Sequence, residues 1–162
     1  MNLSSGANRD VRRLGVDDVE AVIAIDRAHS GHVRRRFFEK LLAGAKTRPD
    51  EFVCVGIHRG GALRGFAIAR ILRGEFGREH AVAVLDAVGV EPQSRERGIG
   101  HALMGELIES LRAMGVGSLQ SLANWTNHDL LRFFEASGFT LAPRLALERS
   151  VGEPLEETSE EV

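Results

Sequence analysis

Tyrosine is absent from this chain of 162 residues, and cysteine, tryptophan and proline occur once, once and four times. A lone cysteine, Cys54, excludes intramolecular disulfides and cysteine-rich metal sites. Its setting, EFVCVGI, reads as a buried strand in which a small thiol is inert packing. No apolar run approaches the length of a membrane span, and the opening MNLSSGANRD lacks the apolar segment of a signal peptide. The reading is therefore cytoplasmic, with no membrane partner. Nor does one sign of charge dominate: 21 Lys+Arg against 23 Asp+Glu give a net charge of −2. That balance offers no basic field for nucleic acid, and aromatic and basic residues are not interleaved as a nucleic-acid surface would need.

What is present is enough apolar content, 43%, to build one real core. Residues 1–8 read as a polar leader, 9–150 as one α+β domain and 151–162, VGEPLEETSEEV, as an acidic solvated tail. Val11 to Leu14 reads as a short strand. Asp17 as N-cap with Glu20 three residues on predicts a helix to about Ala28. Phe37, Phe38, Leu41 and Leu42 recur at helical spacing after Arg34. From Glu51 the period shortens. EFVCVGIH, the turn RGG and ALRGFAIARIL predict a β-hairpin, and HAVAVLDAVGV a further strand. Ile99, Leu103, Leu107, Leu111 and Met114 mark one helical face, closed by Gly115 and Gly117. SLQSLA reads as a strand, NHDLLRFFEAS as a helix stopped by Gly138, and FTLAPRLALERS as the final strand or strands.

The stretch VGVEPQSRERGIGH, residues 88–101, joins a strand to a helix through a glycine-bearing turn. Such a turn presents unpaired backbone N–H groups at the positive end of the helix, a seat for phosphate. Gly98 and Gly100 remove side chains where a ligand would approach the backbone, and Arg95 and Arg97 add charge at the rim. The spacing is not that of a Walker loop, since no GK pair occurs, and Leu103 stands where the dinucleotide fingerprint needs a third glycine.

The motif Arg95-x-x-Gly98-x-Gly100 after V88-G89-V90-E91-P92, with N127-H-D-L-L-R-F-F-E-A-S-G-F139 downstream, resembles the GNAT superfamily of acyl-CoA-dependent N-acetyltransferases. The resemblance runs from the first strand to about Ser150. It implies a mixed, mostly antiparallel sheet of about six to seven strands flanked by about four helices. It also implies acetyl-CoA as cosubstrate, with no metal, and an amine acceptor. By the same resemblance Arg95, Glu96, Arg97, Gly98, Ile99, Gly100 and His101 form the pyrophosphate turn. Backbone groups of Val88 and Val90 would meet the pantetheine, exposed by a bulge around Gly89, and Asn127 would hydrogen-bond the cosubstrate while also serving as a helix N-cap. The family's tyrosine falls at Phe134, which can wall the site but cannot give a proton to the departing thiolate. Either water serves instead, or the protein binds acetyl-CoA without turning it over and acts as a sensor or partner module. A homodimer is compatible with the family.

Amide formation from an ammonium, whose pKa lies near ~10.4, requires a proton acceptor. Asp86, in the apolar run VAVLDAVGV, is the first candidate, on the condition that Val84, Asp86 and Val88 share a face. The alternative is an aspartate satisfied by backbone amides or an arginine. Glu75, Glu79, His32 and His80 are secondary candidates for which surface solvation is the simpler account. In DRAHSGHVRRRFFEK, the acceptor-side segment by resemblance, Arg34, Arg35 and Arg36 would attract an acidic group or form a solvated helix start. Asp26 would meet a cationic amine or sit on the helix surface, and Phe37 and Phe38 pack in the core. None of this names the acceptor.

Overall fold

In the computed structural model, which describes residues 11–154, five strands share one sheet in sequence order. They are β1 (Val11–Arg13), β2 (Phe52–Arg59), β3 (Ala62–Leu72), β4 (Val82–Val90) and β5 (Ser118–Gln120). The first three pairings are antiparallel and the β4–β5 pairing is parallel. A parallel pair cannot be joined by a tight turn, and α3 (Ile99–Ala113) makes the crossover. The other helices are α1 (Val19–Ser30), α2 (Arg35–Thr47) and α4 (His128–Ala136).

Period-two side chains divide the interior into two layers. Cys54, Phe66 and Ile68 face α1 and α2, where they meet Val22, Phe38 and Leu42. Val53, Val55, Ala67, Ala69 and Leu85 face the other way, toward Leu107, Leu111 and Phe134 of α3 and α4. Each fully buried Val, Leu, Ile or Phe contributes roughly 1.5–3 kcal/mol, so the helices are held mainly by these stripes.

The β3–β4 ladder slips once. Ile68 opposes Ala87 while Ala69 opposes Leu85, leaving Asp86 as the extra residue of a bulge. Alternation breaks there: Ala83 and Leu85 lie in the α3-side core, Ala87 in the opposite one, and Val88 packs toward α3 again. Val84, Asp86 and Val88 therefore do not share a face. Nor is the bulge at Gly89, which pairs regularly with Phe66. Glycine is required at that position for another reason. A Cβ on Gly89 would lie 2.8 Å from Phe66 Cε1 and 3.0 Å from Ile25 Cγ2, so its absence lets α1 settle on the strand. Gly89→Val is expected to destabilise the protein by roughly 1–3 kcal/mol through overpacking. Urea unfolding should show this as a lower midpoint with an unchanged slope.

Two further expectations are corrected. The carboxylate that caps the first helical segment is Asp18, whose Oδ2 accepts from the Gly15 N–H at 2.9 Å. A single 3-10 turn, Val16–Asp18, precedes α1 and shifts the frame, and Glu20 pairs with Arg35 instead. Residues 139–150 form no strand. Leu141, Leu145 and Leu147 stand in solvent, and the five strands observed differ from the expected six to seven by this segment. Its strand-like pattern meets no partner strand among the described residues. The leader, 1–8, and the greater part of the acidic tail lie outside the described residues.

Candidate active site

β4 and β5 are paired only at Val82–Ser118, Ala83–Leu119 and Val84–Gln120. β5 then ends while β4 continues to Val90, so the two strands part like a fork. Ser121 closes its crotch, its hydroxyl donating to the Leu85 carbonyl at 3.2 Å. From Asp86 onward one edge of β4 faces a gap rather than a strand. Val88 and Val90 lie on that stretch, outside the β4–β5 pairing, where backbone groups not bonded within the chain could serve an amide-bearing ligand.

Beyond β4, Pro92–Arg97 winds as a 3-10 turn. Gly98, at φ 72° and ψ 11°, swings the chain through the left-handed region, and α3 begins at Ile99 with no side chain capping it. The N–H groups of its first turn thus have no intrahelical partner and point out of the positive end. A Cβ on Gly98 would meet nothing within 4 Å, so the space over the turn is open, and this fits a diphosphate. Gly100 has a packing role as well: a Cβ there would lie 2.9 Å from Cε2 of Phe133 on α4. Ile99 is fully buried with Ile57 and Leu103 and pins the helix start, while His101 is exposed. The backbones of Glu96 and Arg97 complete the turn; their side chains lie outside the described residues.

Arg95 reaches back to α1, where its guanidinium donates to His29 Nδ1. Since arginine only donates, the hydrogen of this imidazole sits on Nε2, which gives it to the Val90 carbonyl at 2.5 Å. His29 therefore links α1, the end of β4 and the turn. Sequence reasoning missed it, because a histidine in the last turn of an amphipathic helix carries no distinguishing pattern.

Asp86 projects to the α1–α2 side, its side chain 12% exposed. Both carboxylate oxygens accept from Arg70 on β3, at 2.5 Å from Nε and 2.9 Å from Nη2. That hydrogen bonding, set against partial burial, raises the pKa of Arg70. The arginine partner foreseen as the alternative is thus present. Each carboxylate oxygen still keeps a lone pair for a water or an amine. Glu75, Glu79, His32 and His80 are all exposed.

Asn127 caps α4, its Oδ1 accepting from the Leu130 N–H at 3.2 Å. Phe134 is 7% exposed and stacks at 4.7 Å on Phe139, within the α3-side core. Asp26 of α1 is buried and held by Arg34, with Nε at 2.9 Å, so it is not a surface group. Arg35 bonds Glu20. These pairs join α1 to α2, and Arg34, Arg35 and Arg36 are all exposed. Phe38 is fully buried against Phe66, while Phe37 is partly exposed under the Arg34 guanidinium. Burial pushes the Cys54 thiol up to about 11, in keeping with inert packing. Among the described residues no cluster could hold a metal ion, and no helix is long and apolar enough to cross a membrane.

The model of the Acetyltransferase (GNAT) family matches residues 20–139. No curated protein matches the chain in sequence. Among solved structures, an integron cassette protein from the mobile metagenome of Cole Harbour Salt Marsh is similar at a TM-score of 0.73, with 19% identity over 94% of this chain and 98% of its own. The ribosomal-protein-alanine N-acetyltransferase from Brucella melitensis biovar Abortus 2308 has a TM-score of 0.69, with 19% identity over 87% and 99%. The aminoglycoside N-acetyltransferase AAC(6')-Iy, solved in complex with CoA, has 0.67, with 20% identity over 87% and 98%.

Proposed function

The chain belongs to the GNAT acetyltransferase family, and from that premise we propose that it transfers the acetyl group of acetyl-CoA to a primary amine by direct attack in a ternary complex. The observation that carries this reading is the fork. An unpaired β4 edge leads straight into an uncapped helix start behind the open Gly98 turn. In this reading the turn from Arg95 to His101 holds the pyrophosphate, with Arg95 steadied by His29. Backbone groups at Val88 and Val90 align the pantetheine, and acetyl-CoA supplies the activated acyl group. Asp86, oriented by Arg70, accepts the proton of the incoming ammonium directly or through one water. The new C–N bond forms as the C–S bond breaks, coenzyme A leaves as a thiolate, and the second proton shed by the nitrogen passes to that thiolate or to water. A thiol pKa near ~8.5 makes that a tolerable leaving group without an enzymic acid. The neighbours' own acceptors, an aminoglycoside in one case and a ribosomal protein in another, are both amines, and the reading extends to that class.

A second reading has one observation in its favour. Phe134 is built into the core, so the position that would protonate the thiolate contributes no proton. A module that binds acyl-CoA without turnover satisfies that feature. Following thiol release from acetyl-CoA against a panel of polyamines, aminoglycosides, amino acids and peptides with free N-termini separates the two. We expect amine-dependent release with at least one member. Tight binding of acetyl-CoA with no release across the panel would refute the transferase reading in favour of the module.

A further inference from the structure

The face of the sheet to which Asp86 projects continues onto β5. Leu119 packs in the α3-side core, so Ser118 and Gln120 point the other way, toward the α1–α2 side. Register places Arg70, Val84 and Gln120 side by side across β3, β4 and β5. Val84 lies half-buried between the other two. On one flank Arg70 holds Asp86. On the other, with the Gln120 amide oriented so that its oxygen faces donors, that oxygen accepts from Nη1 of Arg78 at 2.8 Å and from Nη1 of Arg144 at 2.9 Å. From the spacing of strands and the rise per residue, the backbones of Gln120 and Asp86 are roughly 8 Å apart.

This gathering of charge is unlike its surroundings. Arginines elsewhere are met by carboxylates, as Arg34 is by Asp26 and Arg64 by Glu91. Here two guanidinium groups share one neutral oxygen, which brings like charges within about 6 Å of each other. Glu79 borders the same cleft, yet among the described residues no carboxylate bonds either arginine. Each guanidinium has five N–H donors and gives one to Gln120, so most remain for a ligand. Both open onto a cleft of about 460 Å³, bordered also by His80 and Ser118.

We infer that the amine reaching Asp86 carries an anionic group, a carboxylate or a phosphate, and that Arg78 and Arg144 bind it. The inference rests on the proposed acetyl transfer and narrows its acceptor. Guanidinium forks match the oxygens of both groups in pairs, and such charge-assisted bonds are about twice as strong as neutral ones. An anion also relieves the repulsion that the amide oxygen leaves in place. Gln120 is then a positioning residue, holding both side chains on the face where the amine loses its proton. One molecule the size of an amino acid spans the two sites.

Acceptor pairs differing only in the anion test this: γ-aminobutyrate against its amide, phosphoethanolamine against ethanolamine, and amidated peptides beginning with Glu against the same peptides beginning with Gln. Thiol release should favour the anionic member of at least one pair by about 10–100-fold in kcat/KM, the range for a hydrogen bond to a charged group. Which pair responds tells carboxylate from phosphate and free amine from peptide. The double variant Arg78→Gln, Arg144→Gln should lose the preference through a rise in KM, with acetyl-CoA affinity unchanged as the sign that it is folded. Arg36→Gln, at an exposed site on α2, should keep the preference. Calorimetry with the same pairs, on protein saturated with coenzyme A, reads the seat without turnover. Heat with the anionic member alone, lost in the double variant, upholds the seat; if no thiol is released, only the transfer reading falls. Equal release within every pair, or a preference that survives the double substitution, overturns the inference and leaves the transfer reading standing. Neither heat nor release with any anionic amine also overturns it.

Discussion

Gly98→Glu is expected to abolish acetyl-CoA binding, with a loss of at least ~100-fold in affinity by calorimetry. Two independent effects add. The left-handed backbone at φ 72° disfavours any residue with a Cβ by roughly 1–2 kcal/mol, so the turn is either strained or reshaped. The side chain then enters open space, where the phosphates are proposed to lie, and brings a negative charge to a seat made of N–H donors. Each exposed charge or dipole effect is worth about 0.3–1 kcal/mol, and here the attraction of several amides is replaced by repulsion. Gly98→Ala carries the first effect without the second and should lose far less. Because nothing surrounds the missing Cβ, neither variant should lower the thermal midpoint by more than a few degrees. Retention of wild-type affinity by Gly98→Glu would show that the phosphates bind elsewhere.

Asp86→Asn should lower kcat by about 10²–10³-fold, the usual contribution of a positioned proton acceptor, while the dissociation constant of acetyl-CoA stays within a factor of two. The structure sharpens this test because Asp86 has a competing occupation as the partner of Arg70. If orienting the carboxylate is the only task of that pair, Arg70→Gln should cost about tenfold in kcat, well short of the aspartate variant. If Asp86 exists to hold Arg70, the two variants and their double mutant should show equal losses. The double-mutant cycle distinguishes these outcomes, since residues acting as one unit are strongly non-additive. Full rate in Asp86→Asn at neutral pH would move the base elsewhere.

Much of the sheet and both glycine-closed helices could be read from the sequence, because their signals are local. β2 and β3 announce themselves by Val and Ile around a Gly-Gly turn, and α3 by leucines at helical spacing. The turn at Gly98 was legible for the same reason: the residues that shape it are adjacent in sequence. What escaped depends on distance. Arg70 meets Asp86 only because two strands pair in a shifted register, and His29 meets Arg95 across 66 positions. The packing of Gly100 against Phe133 was hidden for the same reason, since that residue lies on a helix that starts 28 residues later. The last strand failed differently: its pattern is that of a strand, but among the described residues no pairing edge meets it.

The extra residue in β4 has a wider bearing. Downstream of Asp86 the facing of each residue depends on a count rather than on chemistry. Were one residue removed there, Gly89 would turn toward α3 and its neighbours toward α1. A valine would then press into the slot that α1 needs vacant, and the phosphate seat would be carried to the wrong side of the sheet. At this point in the chain length is inherited information in its own right. Many side chains here can be exchanged singly, but a deletion of one would invert the site.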